Sequence, residues 1–401
     1  MVKEIKIQNY KSVQDLTLEL GRINVLIGAN GCGKSNILEA IAFGAAAVGN
    51  KLEKEFLSSR GIRVTSPILM RSGFDKSYSN KSICIKLNLD EEDYYIEINN
   101  SNESFSEWER DVKTTGENIL SKDLKKLSEL LNYFNEKHSE KDDKAKSAHE
   151  INAFWKEIYH EFDYKTTPLT NKIKSKIDER KMFSKFLIYA PENTFLRKFE
   201  DDEKTDPLGI KGEGLFDLLN EMNQNSPEEF QEIIENLELI DWFEGFEIPK
   251  DLVFTERKIR IKDRFLEEGL QYFDQRSSNE GFLFLMFYFA LFISKYTPKF
   301  FAIDNIDASL NPKLCAELMK ILTQLAKKHD KQVIFTTHNP SILDGLNLND
   351  DEVRLLVVSR NRDGHTKTKR VLPVETPEGR VPVRLSEQFM RGYIGGLPKN
   401  F

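Results

Sequence analysis

The apolar pattern of the first 50 residues predicts three strands, a glycine-rich turn and a helix. Residues 3–8 and 16–20 alternate polar and apolar side chains, and residues 23–27 form a short apolar run. Alternation is typical of a strand buried on one face, and a short apolar run is typical of a strand buried on both faces. After the turn, residues 35–48 carry apolar side chains at helical spacing. We therefore expect strand, loop and helix in direct succession.

The pattern changes twice along the rest of the chain. Residues 71–112 contain further alternating runs and predict antiparallel strands. Residues 117–183 are instead rich in Lys, Glu, Asp and Ser around apolar positions at helical spacing, which predicts a helical insertion. We accordingly divide the chain into an N-terminal lobe (1–116), the insertion and a C-terminal lobe (184–401).

In the C-terminal lobe, apolar runs alternate with stretches of helical spacing. The predicted elements are strands 186–189, 299–303 and 332–336, helices 227–239 and 312–328, and a hairpin of 353–358 with 368–374. Ser226 and Asn311 are the expected helix caps, and Asp363-Gly364 is a strong hairpin signal. The longest apolar stretch, 281–293, is shorter than the roughly 18 to 20 residues that span a bilayer, so we interpret it as a buried helix.

Composition narrows the class of protein. The 401 residues are 39% hydrophobic, which is enough for a sizeable core and excludes wholesale disorder. The net charge of −7 excludes a globally basic nucleic-acid coat protein, although local basic patches remain possible. Three cysteines, Cys32, Cys84 and Cys315, are too few and too scattered for a disulfide framework. With no signal peptide at the start, we expect a cytoplasmic protein.

The strongest chemical signal lies in residues 28–35, which fit the pattern G-x-x-x-x-G-K-[ST]. The segment reads Gly28-Ala29-Asn30-Gly31-Cys32-Gly33-Lys34-Ser35. Glycines let the backbone curl so that successive N–H groups point at one anion, and the following helix adds its positive end. Lys34 can then reach the β and γ phosphates of a nucleotide, and the Ser35 hydroxyl can bind Mg²⁺.

Two apolar strands of the C-terminal lobe end in polar residues that could complete such a site. Asp304 ends the strand 300–303 and can fix a Mg²⁺-bound water. His338 follows the strand 333–337 and could hydrogen-bond a γ-phosphate or the attacking water. Residues 277–281, at the start of the apolar helix, are a weaker candidate for a second anion site.

These segments together resemble the ABC-type ATPase heads of the RecF, SMC and OLD (overcoming lysogenization defect) group. Residues 6–12 are similar to the opening strand of that group, residues 30–41 to Walker A and its helix, residues 303–312 to Walker B and the D-loop, and residues 336–340 to the switch-histidine segment. The resemblance does not cover residues 117–183. It implies an α/β P-loop NTPase head with an antiparallel β lobe and an inserted helical subdomain.

The resemblance also implies an ATP-dependent, head-to-head dimer that requires Mg²⁺. In such a dimer each nucleotide lies between the Walker motifs of one protomer and the signature of the other. The implied contacts with nucleotide come from Gly28, Asn30, Gly31, Cys32, Gly33, Lys34, Ser35 and Asn36 in cis and from Ser278 and Gly281 in trans. Ser35 and Asp304 would hold the metal, and Asn305, Asp307 and His338 would face the reacting phosphate.

Two departures from the family pattern affect the expected activity. The signature usually has Ser two residues before its Gly, whereas this chain has Asn279 there. The residue after the Walker B Asp is usually a catalytic Glu, whereas this chain has Asn305. An Asn can orient a water but cannot take its proton, and general-base assistance is worth roughly 10² to 10⁴ in rate. Asp307 more closely matches the D-loop acid, so we expect slow hydrolysis and long-lived ATP-bound dimers.

The resemblance suggests a role through what the chain lacks. Only about sixty residues follow His338, too few for the Toprim nuclease domain of OLD-type nucleases. We therefore expect a stand-alone ATPase subunit that regulates a separate effector, such as a nuclease, in bacterial anti-phage defence; this rests on analogy. Two alternatives remain open: a RecF-like ATPase that acts directly on DNA, and a scaffold that binds ATP without hydrolysing it.

Two surface features are equally open to interpretation. The hairpin around Asp363-Gly364 is basic and could meet phosphates or could simply be a solvated face. Its basic residues are Arg360, Arg362, His365, Lys367, Lys369 and Arg370. Residues 390–398 mix glycines with apolar side chains, and they either dock a partner or pack on the core.

Overall fold

The computed structural model describes residues 1–90, 93–103, 106–115, 175, 178–199, 207–249, 257–267, 269–270, 272–373 and 383–397. Nearly all of the predicted helical insertion, and the end of the predicted hairpin at residue 374, lie outside these residues.

The elements follow the sequence pattern closely. The strands are β1 (Val2–Tyr10), β2 (Val13–Glu19), β3 (Ile23–Ile27), β4 (Ile83–Leu89), β5 (Asp93–Asn99), β6 (Glu109–Thr114), β7 (Ile188–Tyr189), β8 (Phe243–Glu247), β9 (Arg260–Asp263), β10 (Tyr272–Phe273), β11 (Phe300–Ile303), β12 (Gln332–Thr337), β13 (Val353–Arg360) and β14 (Thr366–Val371). The helices are α1 (Lys34–Val48), α2 (Lys54–Ser58), α3 (Pro67–Met70), α4 (Asn193–Lys198), α5 (Leu215–Asn225), α6 (Pro227–Leu237), α7 (Glu280–Ile293), α8 (Pro312–Lys328) and α9 (Leu385–Met390). Short 3-10 helices occupy Lys76–Tyr78 and Pro340–Gly345.

A mixed sheet of six strands forms the centre of the described structure, in the order β14-β13-β3-β12-β11-β7. Its strands are parallel except for the edge strand β14, which is antiparallel to β13. Strands β3, β11 and β12 are buried along their whole length, as their continuous apolar runs predict for parallel strands covered on both faces. Because β3 pairs with both β12 and β13, strands from the two ends of the chain form one sheet.

One face of the mixed sheet packs on α1 and on a second, antiparallel sheet. That sheet has the strand order β2-β1-β4-β5-β6 and supplies the predicted antiparallel lobe. Leu26, Phe300 and Ile334 point into this layer together with Ile37 and Ile41 of α1. Helix α1 is therefore apolar on nearly every side, because it lies between two sheets.

The opposite face of the mixed sheet packs on helices. Alternate residues of the same strands, among them Val25, Phe301 and Phe335, join a core built around α7. Twelve residues of α7 are buried, so the longest apolar stretch of the sequence is a core helix, as predicted. None of the helices in the described part of the chain combines the length and the apolar character that crossing a bilayer requires.

The two predicted helix caps have different outcomes. Asn311 caps α8 as expected, because its side chain accepts a hydrogen bond from the Leu314 N–H at 3.0 Å. Ser226 precedes α6, but its side chain makes no cap hydrogen bond. Its hydroxyl instead accepts from the Lys295 ammonium at 2.8 Å, so tertiary contact has replaced the local cap.

Candidate functional site

The predicted site residues meet at one edge of the mixed sheet. The loop 28–35 follows β3, Asp304 follows β11, and His338 follows β12. These strands are parallel neighbours, so their carboxyl ends lie side by side. Ligand sites of open α/β sheets occur at such edges.

The glycines of the loop 28–35 hold a backbone that other residues would not tolerate. Gly31 and Gly33 have left-handed φ angles of 73° and 109°. A Cβ added to Gly28 would lie 2.2 Å from the Val358 carbonyl oxygen. Gly33 directly precedes α1, and no side chain caps that helix. The positive end of α1 therefore faces the concave side of the loop, an arrangement that suits an anion.

Lys34 lies inside the loop and is almost fully buried. Its ammonium donates to the Gly28 carbonyl oxygen at 2.7 Å and to that of Ala29 at 3.3 Å. The same nitrogen lies 3.4 Å from Nδ1 of His338. Burial lowers the pKa of Lys34 from its ordinary value, while the nearby thiol of Cys32 and the carboxylate of Asp304 oppose that shift. A buried basic side chain inside the loop favours an anion there.

Ser35 and Asp304 are 269 positions apart in sequence and in direct contact. The Ser35 hydroxyl donates to Oδ2 of Asp304 at 3.1 Å. The other carboxylate oxygen accepts from the Thr336 hydroxyl. Hydroxyl and carboxylate oxygens are ligand types that Mg²⁺ prefers, so this pair fits a magnesium ion that also binds nucleotide oxygens. In the described part of the chain no cluster of three or more acidic, His or Cys side chains offers an alternative metal site.

Asn305 and Asp307 follow Asp304 in a tight turn. Asn305 has a left-handed φ of 57°, and its N–H donates to the Thr336 hydroxyl at 2.9 Å. Asn adopts this conformation more readily than most residues, so the backbone itself favours Asn here. The carboxylate of Asp307 accepts from the Thr337 hydroxyl at 2.6 Å. Asn305 is exposed, whereas Asp307 is half-buried.

The surroundings of the His338 imidazole lower its pKa. Partial burial and then the charge of Lys34 lower its pKa, against smaller opposing effects of Asp307 and Asp304. We expect His338 to titrate below about 6.5, the usual value for His, and therefore to be neutral at pH 7.

Lys34→Met should raise the pKa of His338 towards the usual value, because it removes the nearby like charge. The measurement is an NMR pH titration of the imidazole Cε1–H signals, with His338→Gln used for assignment. Lys320→Met, on the exposed side of α8, should leave the midpoint unchanged. A wild-type midpoint at or above 6.5 would contradict the expectation.

The segment 277–281 differs from what the family pattern implies. Asn279 caps α7, accepting from the Phe282 N–H at 2.8 Å. Ser278 is 3% exposed, and its hydroxyl has no hydrogen-bond partner in the described structure. The polar side chains that reach the surface are those of Ser277 and Asn279. The assignment of Ser278 to contacts with a second protomer therefore conflicts with its burial in this protomer, whereas Gly281 is half-buried beside the Ser309 carbonyl.

Asn36 belongs to a chain of polar residues behind the loop, and sequence reasoning missed its partners Ser12 and Thr366. Asn36 donates to the Ser12 hydroxyl at 2.7 Å, and Ser12 lies 2.7 Å from the Thr366 hydroxyl. Thr366 in turn donates to the Cys32 carbonyl oxygen at 3.0 Å. The chain from Asn36 to Cys32 therefore ties the loop to the β1–β2 turn and to β14. In the sequence, the only indication that Ser12 supports the loop was its place in the segment 6–12, which resembles the opening strand of the family.

Glu39, on α1, is the buried acid of this region. Its carboxylate is 2% exposed and accepts from Lys11 and Arg63, and from the Tyr10 hydroxyl at 3.3 Å. Of the two cations, Lys11 is the more buried, with 14% of its side chain exposed. Glu39 therefore holds the β1–β2 turn and the chain around Arg63 against the helix that follows the loop.

Glu39→Ala should lower the free energy of unfolding by about 2 to 3 kcal/mol, because it leaves a mostly buried Lys11 without its carboxylate. Urea denaturation measures this change. Glu317→Ala removes an exposed ion pair on α8 and serves as the control, with an expected loss below about 1 kcal/mol. Equal losses in the two variants would show that burial of the Glu39 carboxylate does not matter.

The basic hairpin is β13–β14, and its turn spans residues 361–365. Its exposed basic side chains are Arg360, Arg362, Lys367 and Lys369. Others are engaged within the protein: Arg370 lies 3.7 Å from Glu19, and the His365 ring makes an edge contact with Phe74. The hairpin thus presents a partly free basic surface about the turn.

Comparison with known proteins places the chain in a family. Residues 23–344 match the model of the family described as "AAA domain, putative AbiEii toxin, Type IV TA system". The matched range includes the loop 28–35, Asp304 and His338. Its length is about four fifths of the chain, so membership does not depend on a single motif.

Two curated proteins share shorter stretches. The DNA double-strand break repair Rad50 ATPase of Sulfolobus acidocaldarius is 49% identical over 45 residues, which are 11% of this chain and 5% of that protein. The uncharacterized protein MJECL10 of Methanocaldococcus jannaschii is 32% identical over 114 residues, which are 26% of this chain and 50% of that protein. The chain therefore spans half or less of the curated relatives it matches.

The fold has a counterpart among solved structures. The crystal structure of the SmcHead bound to the C-winged helix domain of ScpA aligns with a TM-score of 0.53 at 15% identity. The alignment covers 92% of this chain and 98% of that chain. At this level of identity the likeness concerns the fold alone, and it confirms the predicted α/β ATPase-head architecture.

Proposed function

Since the chain belongs to the family described as an AAA domain, we propose that it binds ATP and Mg²⁺ at the loop 28–35 and hydrolyses the ATP slowly. The observation that supports this proposal most directly is the contact of Ser35 with Asp304, at 3.1 Å, next to a glycine loop at the start of α1. The hydroxyl and the carboxylate are ligand types that Mg²⁺ prefers, and the uncapped helix end beside them suits a phosphate.

Each residue of the site has a distinct task in this proposal. The loop backbone and the positive end of α1 bind the phosphates, and Lys34 adds a charge that burial makes more effective. Ser35 and Asp304 hold the magnesium ion, which neutralises phosphate charge when bound. Thr336 fixes the rotamer of Asp304, because its hydroxyl donates to the carboxylate. A neutral His338 can donate one hydrogen bond towards the γ-phosphate while its other nitrogen faces Lys34.

Slow turnover follows from the residue beside Asp304. Asn305 is exposed at the sheet edge and can orient a water through its amide, but it has no group that accepts the proton. Asp307 is the next carboxylate along the chain, and the Thr337 hydroxyl donates to it and holds it in a fixed position.

We further propose that two protomers close around ATP, with residues 277–281 of each facing the nucleotide of the other. The exposed Ser277 and Asn279 are the side chains that would make those contacts. The test combines two titrations of the full chain: a fluorescent ATP analogue to measure binding, and sedimentation velocity to measure assembly. ATP with Mg²⁺ should increase the dimer fraction in the wild type, whereas Asp304→Asn should not respond. Absence of nucleotide binding in the wild type would refute the proposed function.

The partner in this proposal is a separately encoded effector, such as a nuclease, in anti-phage defence. The family description names a toxin of a toxin–antitoxin system, which fits a protein that works beside a second gene product. Capture from native cells with ATP and Mg²⁺ should recover a nuclease on the wild type and not on Lys34→Met. Recovery of DNA-repair proteins instead would favour the second candidate function.

That second candidate is a RecF-like ATPase that acts directly on DNA. It is favoured by the exposed basic side chains about the 361–365 turn and by the stretch shared with the Rad50 ATPase. Binding to duplex DNA should then weaken steeply as salt rises. Arg362→Ala with Lys369→Ala should weaken it further without changing ATP affinity.

A further inference from the structure

The C-terminal strap, defined here as residues 385–397, lies directly against the start of the loop 28–35. A Cβ added to Gly396 would lie 3.7 Å from the Cα of Gly28, and only 2.7 Å from Cγ1 of Val357. Gly396 has a left-handed φ of 88°. The φ angle and the close approach to Val357 and to the Phe389 ring, at 3.1 Å, favour glycine here, and they set the strap in van der Waals contact with Gly28.

The other end of the strap is attached to the segment that follows His338. Asp344, in the 3-10 helix Pro340–Gly345, accepts from the Ser386 N–H at 3.0 Å and from the Ser386 hydroxyl at 2.7 Å. Phe389 is 5% exposed and joins the core beneath the strap. The strap therefore connects the polypeptide after β12 with the polypeptide after β3.

Gly28, where the strap ends, is the residue on which two site side chains depend. Its carbonyl oxygen accepts from the Lys34 ammonium at 2.7 Å. That ammonium in turn lies 3.4 Å from Nδ1 of His338. A small movement of Gly28 would therefore displace both side chains that face the phosphates.

We propose that the C-terminal strap is a positioning element for the phosphate loop, and that nucleotide binding and ordering of the strap are coupled through Gly396 and Gly28. The inference rests on the proposed function, because it concerns the same ATP site. Linkage makes the coupling reciprocal: if a fixed strap favours ATP binding, then bound ATP must stabilise the strap by the same factor.

The strap also has side chains that are exposed at the protein surface. Met390 and Tyr393 are 64% and 68% exposed, although they flank the buried Phe389 and the contact at Gly396. A change in the order of the strap would consequently change the presentation of these two side chains to solvent.

A matched pair of glycine variants tests the positioning role. Gly395 has a φ of 82°, almost the same as that of Gly396, but a Cβ there would meet nothing within 4 Å. Both Gly395→Ala and Gly396→Ala therefore strain the backbone. Only Gly396→Ala places a Cβ too close to Val357 and to the Phe389 ring, so only this variant shifts the strap relative to Gly28. We expect Gly396→Ala to weaken binding of the fluorescent ATP analogue about 5- to 20-fold, and Gly395→Ala less than about 2-fold.

Hydrogen exchange of the wild-type chain supplies a measurement that a merely structural contact would not change. ATP with Mg²⁺ should slow exchange of the amides of residues 393–397, and this effect should be lost in Gly396→Ala. Equal ATP affinities in the two variants, or exchange in the strap that ATP leaves unchanged, would overturn the inference while the proposed function stands. Failure of the wild type to bind ATP at all would identify the proposed function itself as wrong.

Discussion

Asn305→Glu should raise the rate of ATP hydrolysis by about 100-fold, as measured by phosphate release at saturating ATP. In the proposed site the loop 28–35, the Ser35–Asp304 pair and His338 already lie together. The component that this site lacks is a group that takes the proton of the attacking water. A carboxylate at the exposed position 305 would supply that group.

The gain should fall at the low end of the range for general-base catalysis, for a structural reason. The φ of Asn305 is 57°, and a longer side chain without the local hydrogen bonding of Asn costs about 1 kcal/mol in this conformation. Part of the benefit of the carboxylate is therefore lost to backbone strain.

Asn305→Gln is the matched control for this experiment. Gln has the length of Glu and the same difficulty with a left-handed backbone, but it cannot act as a base. We expect Gln to leave the slow rate unchanged or to lower it. Equal rates for the Glu and Gln variants would show that another group already serves as the base, and Asp307 would be the first to replace.

Lys34→Met should weaken ATP binding about 100-fold, in an equilibrium titration with the fluorescent analogue. A charged hydrogen bond contributes about 1.5 to 3 kcal/mol, and each 1.4 kcal/mol is a factor of ten in affinity. Because the ammonium lies almost fully buried inside the loop, water screens it less than a surface charge.

Two control measurements show whether the loss of ATP affinity is specific to the charge of Lys34. Lys320→Met on α8 removes the same charge from a surface ion pair and should bind ATP normally. Thermal unfolding without nucleotide should show that Lys34→Met still folds, because Met retains most of the buried aliphatic chain. Normal ATP affinity of a folded Lys34→Met would contradict the proposed location of the phosphates.

The sequence alone identified the parts of the site whose residues lie in one contiguous segment. The loop 28–35 could be interpreted at once, because the glycines, Lys34 and Ser35 act through one turn of backbone. Asp304 and His338 could be interpreted because each follows a short apolar run, and parallel strands end at a shared edge. The match of residues 23–344 to the AAA-domain family agrees with this reasoning.

Residues whose role depends on distant contacts were not predictable in this way. Ser278 was expected to contact nucleotide in trans, but packing at the start of α7 buries it and leaves Asn279 at the surface. Ser226 was the expected cap of α6, but its hydroxyl binds Lys295 instead. In both cases the local pattern predicted the helix correctly but did not determine where the side chain lies.

The amino-acid sequence by itself determined the kind of site. The spacing of hydrophobic residues predicts the strands and helices, and the glycine-rich loop predicts an anion-binding site. Only the tertiary structure decided which residues support the loop 28–35. Thr366, Asp344 and Gly396 are far from residue 28 in sequence, and no local pattern distinguishes them from ordinary surface residues. Thr366 and Gly396 contact the loop directly, whereas Asp344 holds the strap through Ser386. Such contacts exist only once the C-terminal part of the chain has folded against β3.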